Sequence, residues 1–225
     1  MNLVELKREQ LKLAPKVVLK DGFTAIKTIG GAACATVGQK LLAAVIVCDY
    51  PSLKLLEKKT SLLPNPLPYH PGFEAYREMP VIIEAYNQLE KEPDVLLVKG
   101  TGILHPRRLG IASHLGLALN VPTIGISETL HLGTVIDGKV QMQEKTLGYA
   151  LKTKEHANPL YASPGHLVSL STVQQIIPTT IVPPHKLPEP LHLALRIARK
   201  KAQKLRGVGD EKMENTGQMP EPSLE

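Results

Sequence analysis

Tryptophan is absent from the 225 residues and aromatic side chains make up only 4% of them, so the chain has little with which to build a stacking platform for single-stranded bases. Cysteine is scarce as well. Cys34 and Cys48 fall inside apolar, strand-like runs, where a thiol behaves as a small buried hydrophobe, and both read as core residues. No long apolar run is present: the longest, Leu41 to Val47, is closed by Asp49 and falls far short of the roughly twenty residues of a membrane span. A membrane partner is therefore not expected. The first residues carry Asn2, Glu5, Lys7, Arg8 and Glu9 rather than an apolar core behind a basic start, so no secretory signal is read and the cytoplasm is the expected compartment. No internal repeat stands out.

Hydrophobic residues, 43% of the chain, suffice to bury one core but not two separate domains with linkers. One domain is expected over residues 1–206. Glycine, proline and acids dominate residues 207–225, which predicts a disordered tail. A formal charge of +6 favours a polyanionic partner, but much of the excess lies between Arg196 and Arg206, where a solvated helix face is the plainer reading.

Periodicity gives the elements. Leu3, Leu6, Leu11 and Leu13 among charges predict an amphipathic helix over residues 1–14. Small and β-branched residues from Ala25 to Val37, a turn at Gly38-Gln39-Lys40 and the apolar stretch Leu41 to Tyr50 predict a central hairpin. Four prolines between Pro64 and Pro71 forbid helix or interior strand and give a stiff loop. A helix follows from Gly72 to about Glu90, with Phe73, Tyr76, Ile83 and Tyr86 at helical spacing. Asp94 to Val98 and Pro122 to Ile126 are unbroken apolar strands of the doubly buried type. With the helical pattern Leu109 to Leu119 between them, they predict a right-handed parallel unit. Short strands over Thr134 to Met142 and Leu147 to Lys152, a turn at Ser163-Pro164-Gly165, a helix from Ser169 and a last helix from about Pro190 to Leu205 complete an α/β fold. Ligands of open α/β sheets gather at the carboxyl ends of parallel strands, which puts Lys99 and Ser127-Glu128 at one crevice.

Four segments in order resemble the endonuclease V family, enzymes that cut nucleic acid near deaminated adenine. They are Pro68 to Glu78 (PYHPGFEAYRE), Val98 to Arg108 (VKGTGILHPRR) running on through Gly110 to Gly116 (GIASHLG), Pro122 to Ile126 (PTIGI), and Ser163 to His166 (SPGH). The resemblance implies a ribonuclease H-like fold, a central mixed sheet flanked by helices, with DNA or RNA as partner and a role near nucleic-acid repair; a protein partner stays open.

The resemblance also says where to look for chemistry. Phosphodiester hydrolysis of this kind uses magnesium, a hard cation that wants carboxylate oxygens in octahedral array. At the positions that the resemblance implies for those acids, this chain has Ala33, Glu78, Lys99 and Leu195. Only Glu78 can ligate a cation. Where the family usually carries a lysine after its second parallel strand, this chain has Glu128, so an acid-to-base change and a base-to-acid change fall at neighbouring strand ends. An ammonium buried near the old metal position needs carboxylate company, and Lys99 is expected to pair with Glu128, Glu78 or both.

Further positions are carried over by the same resemblance. Pro68, Tyr69, His70 and Pro71 match the wedge that enters a duplex beside a flipped base, though an ordinary stiff loop reads equally well. Glu74 stands where an apolar residue commonly faces the base. His105 and His166 are expected beside the site, and Arg107 and Arg108 either bind phosphate or form a solvated pair at a helix start. The leading expectation is a family member without metal-dependent nuclease activity and without a cofactor. The alternative is an active endonuclease at inosine-containing nucleic acid whose rearranged magnesium or manganese site uses Glu78 with Asp49 or Glu128. A zinc site of Glu78, His105 and His166 is a lesser one.

Overall fold

The computed structural model describes residues 2–214, with side chains through residue 206. The chain opens with α1 (Leu3–Leu13), whose first turn is capped by the Asn2 side chain accepting from the Val4 and Glu5 amides. A single 3-10 turn, Ala14–Lys16, follows. Then come β1 (Thr28–Val37), β2 (Lys40–Asp49), β3 (Leu55–Pro64), α2 (Glu74–Tyr86), β4 (Val95–Lys99), α3 (Ile111–Leu119), β5 (Thr123–Ser127), β6 (Thr134–Ile136), β7 (Lys139–Met142), β8 (Lys145–Leu151), β9 (Leu160–His166), α4 (Leu170–Thr179) and α5 (Glu189–Glu214).

The strands form one mixed sheet in the order β3-β2-β1-β4-β5-β9-β8-β7-β6. β1, β4 and β5 run parallel; β2 and β9 flank them antiparallel. Both faces are covered. An apolar layer of Ile29, Leu97, Ile124 and Ile126 packs against α4 and α5 on one side, while Leu96, Val98, Ile82, Ala85, Ile111 and Leu115 fill the space under α2 and α3 on the other. This double burial is why β2, β4 and β5 read as continuous apolar runs rather than alternating ones. At Gly31 the Pro190 carbonyl oxygen lies 2.2 Å from where a Cβ would stand, so the absent side chain lets the first turn of α5 rest directly on β1.

The structure departs from the expected elements in five places. Residues Leu55–Pro64, not foreseen as a strand, make the edge strand β3, whose polar and half-exposed side chains hid its pattern. Residues 134–142 fold back on themselves as β6 and β7, because Asp137 (φ 48°) and Gly138 (φ 74°) supply a two-residue turn with positive φ. Ser163, Pro164 and Gly165 lie inside β9 rather than in a turn: Pro164 is tolerated because the register slips between Thr123 and Ile124. Of Phe73, Tyr76, Ile83 and Tyr86, read at helical spacing, only Tyr86 is buried, and the inner side of α2 is completed by Ala75, Met79, Ile82 and Ala85. At the C-terminus α5 continues to Glu214, past the expected helix end, and the rest of the expected tail, residues 215–225, lies outside the described residues.

Candidate functional site

The carboxyl ends of β4 and β5 open into a cleft of about 440 Å³ bounded by the proline loop and the start of α2. Tyr69, Glu74, Glu78, Lys99, His105 and Glu128 are among its walls. Lys99 ends β4 and Glu128 follows β5, and their side chains meet at 3.9 Å, at the outer limit of an ion pair. Lys186, from the loop before α5, reaches the other Glu128 oxygen at 3.1 Å, so that carboxylate is bridged by two ammonium groups. Among the described residues no ion pair joins Lys99 to Glu78; the pairing expected there is realised with Glu128.

Glu78 is half-buried, and its carboxyl is pushed up to about 7 by burial, with Lys99 opposing and Glu74 adding to the rise. The Cys34 thiol of β1 faces it, and burial together with the Glu78 charge raises that thiol well above the usual range. Cys34 was read as plain core. Its place two residues before the exposed Thr36, on the α2 side of a strand that ends at the cleft, is the signal that marks it otherwise.

The two remaining positions tell a different story. Ala32 pairs with Val98, so Ala33 sits beside Lys99 in the sheet, yet the Ala33 methyl is 1% exposed and faces α5. Leu195 of α5 is 8% exposed and belongs to the same apolar cluster, with Leu191, Ala194 and Ile29. Where carboxylates were implied, a hydrocarbon layer is continuous between β1 and α5. Asp49, suggested as a substitute ligand, pairs with Thr28 at the opposite end of β1 and accepts from the Ser52 hydroxyl, far from the cleft.

Beside the cleft, the residues around Gly72 form a rigid frame. Gly72 adopts φ 79°, and its carbonyl accepts from three side chains: Gln10 Nε2 at 3.0 Å, His105 Nε2 at 3.1 Å and an Arg107 terminal nitrogen at 2.6 Å. The Arg107 amide donates to His105 Nδ1 at 3.2 Å, which fixes the ring proton on Nε2. Burial, with Arg107 adding, holds the imidazole down to about 4, so His105 is a neutral clamp whose two nitrogens are both taken. Arg107 also donates to Gln10 and lies 4.4 Å from the Phe73 ring centroid. It ties α1 to the loop while lining the cleft, so it is not a solvated charge at a helix start. Arg108, at φ 57°, points one nitrogen at the Met142 sulfur (3.8 Å), and its other terminal nitrogen is buried without a partner.

His166 is not brought to the cleft. It is 4% exposed, its Nδ1 accepts from the Val18 amide at 3.2 Å, and burial lowers its basicity. The zinc trio of Glu78, His105 and His166 is therefore not assembled. In the proline loop Tyr69 is 60% exposed and its hydroxyl donates to Glu74 at 3.4 Å, while the same Glu74 oxygen accepts from the Gly72 amide at 2.9 Å. Glu74 thus fastens the loop to the start of α2. Pro68 and Pro71 are exposed and His70 half-exposed, so the proposed wedge presents its surface outward.

Comparison with known proteins places this geometry. The family model described as Endonuclease V matches residues 11–196. The chain belongs to the endonuclease V family. An endonuclease V of Dictyoglomus thermophilum is 34% identical over 206 residues, covering 88% of this chain and 90% of that protein. The crystal structure of endonuclease V from Streptomyces avermitilis superposes with a TM-score of 0.81 at 27% identity, over 89% of this chain and 93% of that one. A Ciona intestinalis endonuclease V, solved with a 23mer DNA containing an inosine followed by a ribo-adenosine, gives 0.82 at 26% identity, over 90% and 98%. The fold is accordingly the ribonuclease H-like α/β arrangement expected from the sequence, and the structure of the sheet and flanking helices agrees.

The donor set does not suit the divalent ion that such a nuclease uses. Magnesium needs several hard oxygen ligands at once. In the cleft the Glu78 carboxylate has an ammonium nearby, and Glu128 is engaged by two lysines. Glu74 is spent on the loop, and the Ala33 and Leu195 positions offer only hydrocarbon. Among the described residues no group of three or more histidine, cysteine, aspartate or glutamate side chains is placed to hold a metal.

Proposed function

We propose that this endonuclease V family member binds nucleic acid, DNA or RNA, without cleaving its phosphodiesters by a metal-dependent route. The observation that carries the reading is that Ala33 and Leu195 are buried in one apolar cluster, with Ala33 next to Lys99 in the sheet, at the strand ends where the reaction would need anionic oxygens. Phosphoryl transfer depends on cations that neutralise developing charge on the reacting oxygens, and a missing ligand costs orders of magnitude in rate. A lysine supplies one fixed positive charge but no ligand-exchange site for a nucleophilic water.

The retained parts suit binding. Tyr69 stands exposed on a stiff loop that Gly72, His105, Arg107 and Gln10 hold in place, a surface able to lie against bases with little ordering cost. The related Ciona protein, crystallised on inosine-containing DNA, supports nucleic acid as the partner class. Calorimetric titration of the pure protein with magnesium and manganese tests the reading. Heats no larger than those of dilution up to millimolar metal are expected, whereas stoichiometric binding abolished by Glu78→Gln would overturn it.

A further inference from the structure

The second half of α5 is charged without compensation. Between Arg196 and Arg206 it carries Arg196, Arg199, Lys200, Lys201, Lys204 and Arg206 and no acid. All six are exposed, while Ala198 and Ala202 are buried against the sheet, so the packing fixes which side of the helix faces water. Two of the cations anchor that orientation: Lys201 donates to the Thr60 hydroxyl of β3, and Arg206 donates to the Thr36 carbonyl of β1. Among the described residues none of the six lies within ion-pair distance of a carboxylate.

The sheet edge extends the patch. Thr60 pairs with Ala44 and Lys58 with Ile46, and both partners face α5, so Lys58 lies on the α5 side of β3 and is exposed. On the opposite side of the same strand, Glu57 and Lys59 are paired at 3.2 Å, with Glu90 also near Lys59. One face of the edge is balanced and the other is purely basic. Thr36 belongs to the last turn of β1 before the hairpin, so the patch begins at the end of the sheet where the cleft opens.

We infer that the α5 ridge, Arg196, Arg199, Lys200 and Lys204 with Lys58 beside them, is a second nucleic-acid contact that follows a phosphodiester backbone leading away from the cleft. A helix rises about 1.5 Å per residue, so residues 196–206 span roughly 15 Å, enough to follow about four phosphates of one strand at roughly 3.4 Å of helix axis each. An anionic membrane is the poorer fit. Interfacial helices need a free apolar side to insert, and here that side, with Ala198, Ala202 and Leu195, is already spent on the sheet. The ridge reads charge and no base, so it adds affinity without sequence preference.

The inference rests on the binding role proposed above, and the test separates the two. The full chain is titrated with an oligonucleotide lacking inosine, single- and double-stranded, across a salt series. It is compared with the triple variant Arg199→Gln, Lys200→Gln, Lys204→Gln and with the cleft variant Lys99→Ala. Among the described residues the three substituted side chains are exposed and make no hydrogen bond or ion pair, and Lys201 and Arg206 are left in place; equal thermal midpoints confirm folding. The ridge variant is expected to bind about a hundredfold more weakly near 0.1 M salt, with a salt slope shallower by about 2 on single strands, while Lys99→Ala, one cation in the cleft, changes the slope by less than about 1. Wild-type affinity and slope in the ridge variant overturn the ridge and leave the binding role standing. Failure of the wild-type chain to bind either oligonucleotide overturns both, and binding to phosphatidylserine vesicles in place of nucleic acid overturns the choice of partner.

Discussion

The loop frame around Gly72 and the strand ends around Lys99 face the same cleft but are held in different ways. The frame is over-determined, with three donors on one carbonyl and each donor fixed by a further contact. The strand ends are held by a long, exposed ion pair and by a hydrocarbon layer, with Lys99 36% and Glu128 46% exposed. The frame that shapes the loop surface is tightly bonded, whereas at the strand ends Lys99 and Glu128 balance charge and Ala33 and Leu195 pack in the core. In this chain, shape and chemistry separate residue by residue.

The contrast predicts unequal responses to substitution. Arg107→Ala should cost most, on the order of 3 kcal/mol, because it removes charge-assisted bonds to Gly72 and Gln10 from one side chain; chemical denaturation measures it. A loss below about 1 kcal/mol would mean that the frame is not rigid.

Next is the pH profile of stability. Glu78 is raised to about 7, so its protonated form is favoured by folding, and its contribution is present at low pH and lost as pH climbs from about 4.5 to 7. His105 is lowered to about 4, so its contribution is present above about 6.5 and lost as pH falls toward 4. The two oppose one another between these limits. Glu78→Gln removes one side, and between pH 4.5 and 6.5 the stability of that variant should rise by roughly 2 kcal/mol more than that of the wild type. Parallel profiles for the two proteins would break the assignment.

The smallest effect is expected at the strand ends. A double-mutant cycle on Lys99→Ala and Glu128→Gln should give a coupling below about 1 kcal/mol, as exposed pairs do, and it should fade in high salt. A coupling of several kcal/mol would make Lys99 a structural cation and narrow the difference between the two regions.

Much of this was legible in the residues. Doubly buried strands announce themselves as apolar runs, so β2, β4, β5 and the parallel unit were readable, and the proline loop excluded its alternatives. The misreadings have specific causes. β3 is a half-exposed edge strand whose Glu57, Lys58, Lys59 and Thr60 break any alternation. The Ser163-Pro164-Gly165 segment has the composition of a turn, but Thr123 Oγ1 lies 2.2 Å from where a Gly165 Cβ would stand, so glycine serves close packing there. Asp137-Gly138 was a hairpin signal in plain view. For the site, the positions of Ala33, Glu78, Lys99 and Leu195 followed from the resemblance to the endonuclease V family. The engagement of His166 by Val18 and of Arg107 by Gln10 depends on contacts 148 and 97 residues apart in sequence, which no local pattern encodes.

The most direct test is a cleavage assay on inosine-containing single- and double-stranded DNA and RNA with magnesium, manganese or zinc. With Ala33, Lys99 and Leu195 in place, no metal-dependent product should form at protein concentrations that saturate binding. Metal-dependent strand cutting that disappears in Glu78→Gln would contradict the account.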